Sequence, residues 1–416
     1  MQLRVCDGLS PEPERRNVAP TQEIIMSGTA YSSAVHPRAA VIGGSLGGLM
    51  TGNLLRSAGW DVDVYERSSQ ELDSRGGGIV LQPQVVEVLR RSGYELPLDQ
   101  LGVRSMHRTV IRPDGSIQSR VHAPQLQTSW SLIYTMLRDA FGLSHYHPGH
   151  TLSGVMQTGD KVTATFLNDH SVEADLLVGA DGGGSTVRQL LWADSEPEYA
   201  GYLAWRGLLP EDALPQEARE VLSGDFAFAN HQGSHILGYL VPGEDNDLSV
   251  GGRFYNWVWY RVVPFETMNL ILTDSSGQRR GWSVPQGQLA ACWKEALDRE
   301  AEQLLPAAFR AVVRATDQPF VQAIRDLVVD QMVDHRVLLL GDAAAIPRPH
   351  TAASTAKAAT NALALADSLL AYPHDLSEAL QRWERPQLDL AHYLYKSGRE
   401  IGDHLLFSRR RTSDFQ

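Results

Sequence analysis

Cysteine is nearly absent. The 416 residues hold two, Cys6 and Cys292, in no paired spacing. A disulfide framework and a cysteine-built zinc site are both excluded by that count. Such usage fits a reducing compartment, and a cytoplasmic location is expected. Long apolar runs are missing too. No stretch of about eighteen apolar residues occurs, so no helical membrane span is expected. The opening segment, with SPEPERRNVAPTQE, lacks the apolar centre of a secretory leader. Residues 1–36 read as a loose extension. Positive charge is in short supply: 37 Lys and Arg stand against 49 Asp and Glu, for a formal net charge of -12. No basic stripe is visible, which argues against a nucleic-acid partner. The densest positive run, SRRRTS at 408–413, reads as a solvated terminus. Repeats and low-complexity blocks are absent. What remains is a globular composition, 43% hydrophobic and 21% charged, on a chain too long for one core.

Glycine is where the chain becomes informative. Residues 39–48, AAVIGGSLGG, put a cluster of glycines directly after a short apolar strand. Gly43 occupies a tight-turn position, and Gly48 the place where a side chain would block helix–strand packing. Ser45 stands where a middle glycine is usual. A helix beginning near Leu46 would turn unpaired N–H groups and a positive dipole end toward a phosphate. LMTGNLLRSAG has helical spacing with Gly59 as a stop, and WDVDVYER alternates as a strand. Glu66 ends that strand about twenty residues after the turn, where a carboxylate can accept from ribose hydroxyls. Arg67 follows it. Strand, glycine turn, helix, strand and acid in this order form a dinucleotide-binding unit.

Two further strand-end motifs follow. LLVGADGGGSTVRQLL places Asp181 and Gly182 after a buried strand; VLLLGDAAAIPRPH places Asp342 after another. Between them, residues 199–264 are aromatic and strand-like, as for an antiparallel sheet. A hairpin is expected around Pro113-Asp114-Gly115, helices over 286–315 and after Thr351, and a helical C-terminal segment broken before Pro386. The fold class is α/β: a Rossmann-type domain (37–102, 128–198 and 318–372) interrupted by a mainly antiparallel-sheet substrate domain (103–127 and 199–317), with C-terminal helices over 373–416. No second glycine unit exists for a nicotinamide dinucleotide.

These three elements resemble those of the FAD-dependent aromatic hydroxylases, one-component flavoprotein monooxygenases with a p-hydroxybenzoate-hydroxylase-like fold. The resemblance runs from about residue 38 to about 400. It implies FAD as cofactor, NADH or NADPH as a transient reductant, and O₂ and a small electron-rich aromatic as co-substrates. It implies ring hydroxylation through a C4a-hydroperoxyflavin, without a metal. Gly43, Ser45, Gly48 and Glu66 would hold the ADP half of FAD, with Leu46 and Arg67 also among the cofactor-binding residues. Asp181 and Gly182 match the family's DG element, and Asp342 its GD element at the ribityl chain. Pro349 would lie beside the flavin ring, with the helix from Ala352 onward aimed at the pyrimidine. Arg75, before Gly76-Gly77-Gly78, lies where a gate for flavin movement could sit. The segments GDAAAIPRPHTAASTAKA, YAGYLAWRG and VDVYERS point to a pyridine-hydroxylating subgroup. The sequence departs from the family at Ala345, at the glycine-free segment after Pro349, at Asn361, and at Trp130, near the place of an FAD-contacting arginine.

Substrate-side candidates are Tyr202, Arg206, His235 and Tyr239 on the aromatic sheet, with Pro349 and His350 beside the flavin. The tyrosines have sheet packing as their alternative, and Arg206 an ordinary ion pair. His350 is the expected base, since an imidazole titrates near working pH, with buttressing of its loop as the alternative. His231 and His235 flank Gly233 in a hairpin and are not expected to bind a metal; His145, His147 and His150 straddle a loop and are expected to be exposed. Competing functions are epoxidation, Baeyer–Villiger insertion or oxidative rearrangement on the same fold, a non-catalytic binding protein, and a plain NAD dehydrogenase. A homodimer is left open.

Overall fold

The computed structural model describes residues 36–70, 72 and 77–407. The N-terminal extension, the basic C-terminal run and Arg75 with its gate lie outside the described residues.

Two large sheets organise the chain. The first has six strands, in the order Val333–Asp334, Val337–Leu339, Leu176–Gly179, Arg38–Ile42, Asp61–Tyr65, Tyr146–His147. All its neighbours are parallel except the first pair. Its central strands are apolar on both faces because both faces are covered: Ala39 to Ile42 and Leu176 to Val178 are all buried. Helices Leu46–Ser57, Trp130–Phe141 and Ser354–Ala371 pack about this sheet.

The second sheet has ten strands. Its path runs Ser283–Val284, Phe320–Val328, Glu198–Pro210, Phe254–Val262, Ser234–Val241, Phe226–His231, Val103–Ile111, Ile117–Ser129, Gly78–Val80, and Ala345–Ile346 pairs with Phe320–Val328. One neighbour pair, Phe226–His231 on Val103–Ile111, is parallel. Successive side chains point to opposite faces. One face buries Trp205, Trp257 and Trp259 in a core with Phe309 and Val312 of helix Ala307–Ala315. The indoles are satisfied: Trp257 donates to Thr316 at 2.9 Å and Trp259 to Ser234 at 2.8 Å. The other face turns Ala204, Arg206, Leu237, Tyr239, Val258 and Tyr260 toward the first sheet. A three-stranded sheet spans Leu152–Thr158, Lys161–Phe166 and Ser171–Ala174.

Gly78–Val80 pairs with the end of Ile117–Ser129. Two expectations are corrected. Residues 320–328 belong to the ten-stranded sheet, pairing with Glu198–Pro210, so the boundary expected at 318 does not fall there. The C-terminal segment is one continuous helix, Leu376–Phe407, with Pro386 inside it. Pro386 and Arg382, whose carbonyl loses its i+4 partner, both lie on the exposed face, where water can satisfy the orphaned group. Among the described residues no helix is long and apolar enough to cross a membrane.

Candidate active site

A cavity of about 700 Å³ opens where four neighbouring strands of the six-stranded sheet end. Gly43, Glu66, Asp181 and Asp342 each follow one of those strands, and all four line it. Ligands in open α/β sheets bind at such carboxyl ends. Gly43 has φ +107°, and a Cβ on Gly48 would stand 1.8 Å from the Gly43 carbonyl oxygen. The helix that follows is capped by Ser45 without a side-chain bond and has no acid in its first turn. Its first N–H groups are therefore available to an anion, with Ser45, Leu46 and Gly47 in the wall.

Glu66 is buried and braces this turn. One carboxylate oxygen accepts from Gly44 N–H at 2.8 Å and the other from Ser68 N–H at 2.8 Å. Each oxygen keeps a lone pair for a hydroxyl group. Arg67 lines the cavity beside it. Asp181 behaves differently: it accepts from Ser185 Oγ (2.5 Å), Thr186 N (2.6 Å) and Val187 N (3.2 Å). Burial raises its pKa against these bonds. Its carboxylate is committed to the start of helix Thr186–Leu191, and Gly182, at φ +75°, carries the chain along the wall.

Sequence reading missed several braces. Arg188 is buried and donates to the carbonyls of Gly183 (3.0 Å), Ser195 (3.0 Å) and Ala343 (2.8 Å), tying two cavity turns together. Asn361, in place of the family aspartate, accepts from Gly341 N–H at 3.0 Å. Arg348 is buried in a bidentate pair with Asp326 (2.8 and 2.7 Å) and bonds Asp403 at 2.8 Å. Lys357 is buried beneath Asp342. The only sequence signal for Arg348 and Lys357 was charge inside an otherwise apolar segment.

The far end of the cavity lies against the ten-stranded sheet. Arg206, Phe226, Leu237, Tyr239, Val258, Tyr260, Gln322 and Ile324 line it, with Pro347 and Pro349 opposite. The backbone at Gly77 and Gly78 lies tight against two of them: a Cβ would come within 2.6 Å of the Arg206 guanidinium and 2.4 Å of the Tyr239 ring. Arg206 has no ion pair among the described residues, and its buried Nε has no hydrogen-bond partner. Its charge lowers the pKa of both Tyr239 and Tyr260, but burial dominates and pushes Tyr239 up to about 12.

Tyr202, His235 and His350 do not line the cavity. They form a cluster behind Tyr260: Tyr202 OH lies 3.0 Å from His350 Nε2, and His235 stacks on Tyr260 at 5.9 Å. His235 bonds Asn230 at 2.5 Å. Burial depresses His350 to about 3 and His235 to about 4, so neither is poised near neutrality as the expected base would be. Trp130 lines the cavity stacked on Tyr134 at 4.8 Å. The histidines expected to be exposed are half-buried: Asp63 accepts from His145 (3.2 Å) and His147 (2.8 Å), while His150 enters the cavity wall. Asp61, Asp63 and His145 could share a cation, but Arg38 already stands 3.6 and 3.9 Å from the two aspartates.

The cavity fits FAD. Its glycine turn and open helix end suit a pyrophosphate, Glu66 and Asp342 supply acceptors for hydroxyls, and a broad end between Pro349 and the aromatic sheet suits a flat ring. The chain belongs to the FAD-dependent aromatic hydroxylases, and it is a flavin-dependent monooxygenase acting on small aromatic substrates with NAD(P)H and O₂. It is 38% identical over 361 residues to 2,6-dihydroxypyridine 3-monooxygenase of Paenarthrobacter nicotinovorans, covering 86% of this chain and 89% of that one. The solved structure of 2,6-dihydroxypyridine-3-hydroxylase from Arthrobacter nicotinovorans superposes with a TM-score of 0.84 at 36% identity, covering 89% and 93%. A Klebsiella pneumoniae HpxO variant complexed with FAD shares the fold, with a TM-score of 0.73 at 22% identity over 92% of each chain. The family described as FAD binding domain-like matches residues 199–326, most of the ten-stranded sheet's aromatic strands.

Proposed function

We propose that the ring hydroxylated is a small hydroxypyridine bound as an oxyanion against Arg206. The observation that supports this reading is the unpaired Arg206 cation in the cavity wall, its Nε buried without a partner. Arg206 is half-buried, and leaving a buried donor such as its Nε without an acceptor is costly; a ligand that supplies an acceptor and negative charge removes that cost. Tyr239, Tyr260 and the Gln322 amide in the same lining can each donate, and none carries a negative charge. The acidic lining residues, Glu66, Asp181 and Asp342, all lie at the strand-end side. The donor set suits the exocyclic oxygens of a hydroxypyridine and disfavours a cationic amine.

FAD, when bound, supplies oxygen activation. The chain supplies the rest. Arg206 lowers the pKa of the ring hydroxyl by its charge and so favours the electron-rich anion. Tyr239, with its raised pKa, stays protonated and donates. Apolar Phe226, Leu237, Val258 and Ile324 keep water from the reacting ring. His350, bonded to Tyr202 behind Pro349, props the wall and stays neutral. The activity of the 2,6-dihydroxypyridine relatives supports the pyridine class. The test is NAD(P)H oxidation with a panel of hydroxypyridines, phenols and aminopyridines, followed by product analysis. Turnover of hydroxypyridines, rising in rate through the pKa of the ring hydroxyl, is expected. Preference for a cationic amine would overturn the assignment.

A further inference from the structure

Lys357 is the buried charge that the chemistry above leaves unused. It sits in the first turn of helix Ser354–Ala371 and is 3% exposed. Its ammonium has three donors and meets three acceptors: the Gly341 carbonyl at 3.0 Å, Asp342 Oδ1 at 3.1 Å, and the Ala345 carbonyl. All three belong to the turn 341–345, which follows strand Val337–Leu339 into the cavity. One helical turn on, Asn361 takes the Gly341 N–H. The helix therefore grips this turn with side chains at i and i+4, on one face.

Asp342 is the recipient. Its side chain is 41% exposed and lines the cavity, with Oδ1 on Lys357. No hydrogen bond to Oδ2 occurs among the described residues. Burial lowers the Lys357 pKa and Asp342 opposes that effect. One carboxylate oxygen is thus pinned by a charge-assisted bond and the other is presented to whatever polyol occupies the groove. The neighbouring helix-start residues Ala353, Ser354 and Thr355 line the same stretch.

We propose that Lys357 is a positioning residue for the cofactor: it holds the Asp342 carboxylate oriented so that Oδ2 accepts a hydroxyl of the FAD ribityl chain. The inference rests on the FAD assignment and adds to it a residue that acts only through Asp342. Two readouts separate this from a packing role. The first is the FAD dissociation constant of the apoprotein, measured by flavin fluorescence for wild type, Lys357→Met, Asp342→Asn and the double variant. Each single change is expected to weaken FAD at least tenfold. The double variant is expected to lie within about threefold of the weaker single, because both remove one interaction. The second readout is the flavin midpoint potential. Removing the cation leaves an uncompensated carboxylate near the flavin and shifts the potential negative; Asp342→Asn leaves the cation and shifts it positive. Lys357→Gln, which keeps donors for the two carbonyls, replaces Lys357→Met if that variant does not fold. FAD affinity within twofold of wild type, multiplicative losses in the double variant, or potential shifts of one sign would overturn the role of Lys357. A wild-type apoprotein that takes up no FAD would overturn the cofactor assignment, and this proposal with it.

Discussion

The two ends of the cavity are built in different ways. At the strand-end side the backbone does the shaping. Gly43 and Gly48 allow contacts no side chain could, and Glu66 spends both oxygens on backbone N–H groups. At the sheet side the side chains do it: Arg206, Tyr239 and Tyr260 come from three strands and meet only when those strands pair. The first end is finished before a ligand arrives. The second holds Arg206, whose buried Nε has no hydrogen-bond partner among the described residues. A cofactor that stays bound suits the finished end, and a substrate that comes and goes suits the unfinished one.

The sharpest way to break the contrast is at Gly48. A Cβ there would meet the Gly43 carbonyl oxygen at 1.8 Å, and backbone cannot step aside as a side chain can. Gly48→Val is expected to lose FAD retention outright and to cost about 1–3 kcal/mol of stability from overpacking alone. Absorbance of the purified variant and its thermal melt check both. At the other end, Arg206→Met should leave FAD bound and lower kcat/KM for a hydroxypyridine about a hundredfold, in line with the roughly 2–5 kcal/mol lost when one partner of a buried charge pair is removed. Equal loss of FAD and of turnover would erase the distinction between the ends.

Glu66→Ala is expected to be milder than the glycine change. It removes the acceptor for two backbone N–H groups, worth about 1.5–3 kcal/mol where the acceptor is charged. Retention of FAD through gel filtration measures it.

The smallest effect is expected behind the wall. His350→Asn, with FAD bound, should change turnover less than tenfold and leave the pH profile above pH 5 unmoved, because burial holds the imidazole at about 3. The acid limb of stability should change instead. His350 and His235 have folded pKa values of about 3 and about 4, below the ordinary 6.5. Between those values the unfolded chain binds more protons, so stability rises with pH through that window and falls as pH drops below about 6.5. Each unit of depression corresponds to about 1.4 kcal/mol. Melts of the two single variants from pH 4 to 7 should show a flatter acid limb than wild type.

The same contrast explains how much was legible in the sequence. The placement of the glycine turn, Glu66, Asp181 and Asp342 at strand ends in the cavity wall could be read because each depends on a local strand–turn pattern. The hairpin at Asp114 and the helix after Thr351 were legible for the same local reason. Arg206 and Tyr239 were visible only as candidates among several aromatic-sheet residues. Choosing them over Tyr202 and His235 needed the strand pairing, which decides which residues of one sheet face reach the cavity and which lie behind it. Arg348 and Lys357 were legible only as charges inside an apolar segment, with no hint of their partners. Their partners, Asp326, Asp403 and the turn at 341–345, come from separate elements, and no local pattern announces a buried ion pair. Pro386 misled for a further reason: a proline on the exposed face of a long packed helix costs less than its propensity suggests.

The central claim is that this cavity joins FAD to a hydroxylated aromatic ring and inserts one oxygen atom into it. The most direct measurement supplies the flavin-loaded protein with NAD(P)H, ¹⁸O₂ and 2,6-dihydroxypyridine, and follows the product by mass. A ring carrying one new hydroxyl with a single ¹⁸O atom is the predicted result. A ring-expanded or rearranged product, or NAD(P)H consumed to hydrogen peroxide with the ring unchanged across the whole hydroxypyridine panel, would contradict it.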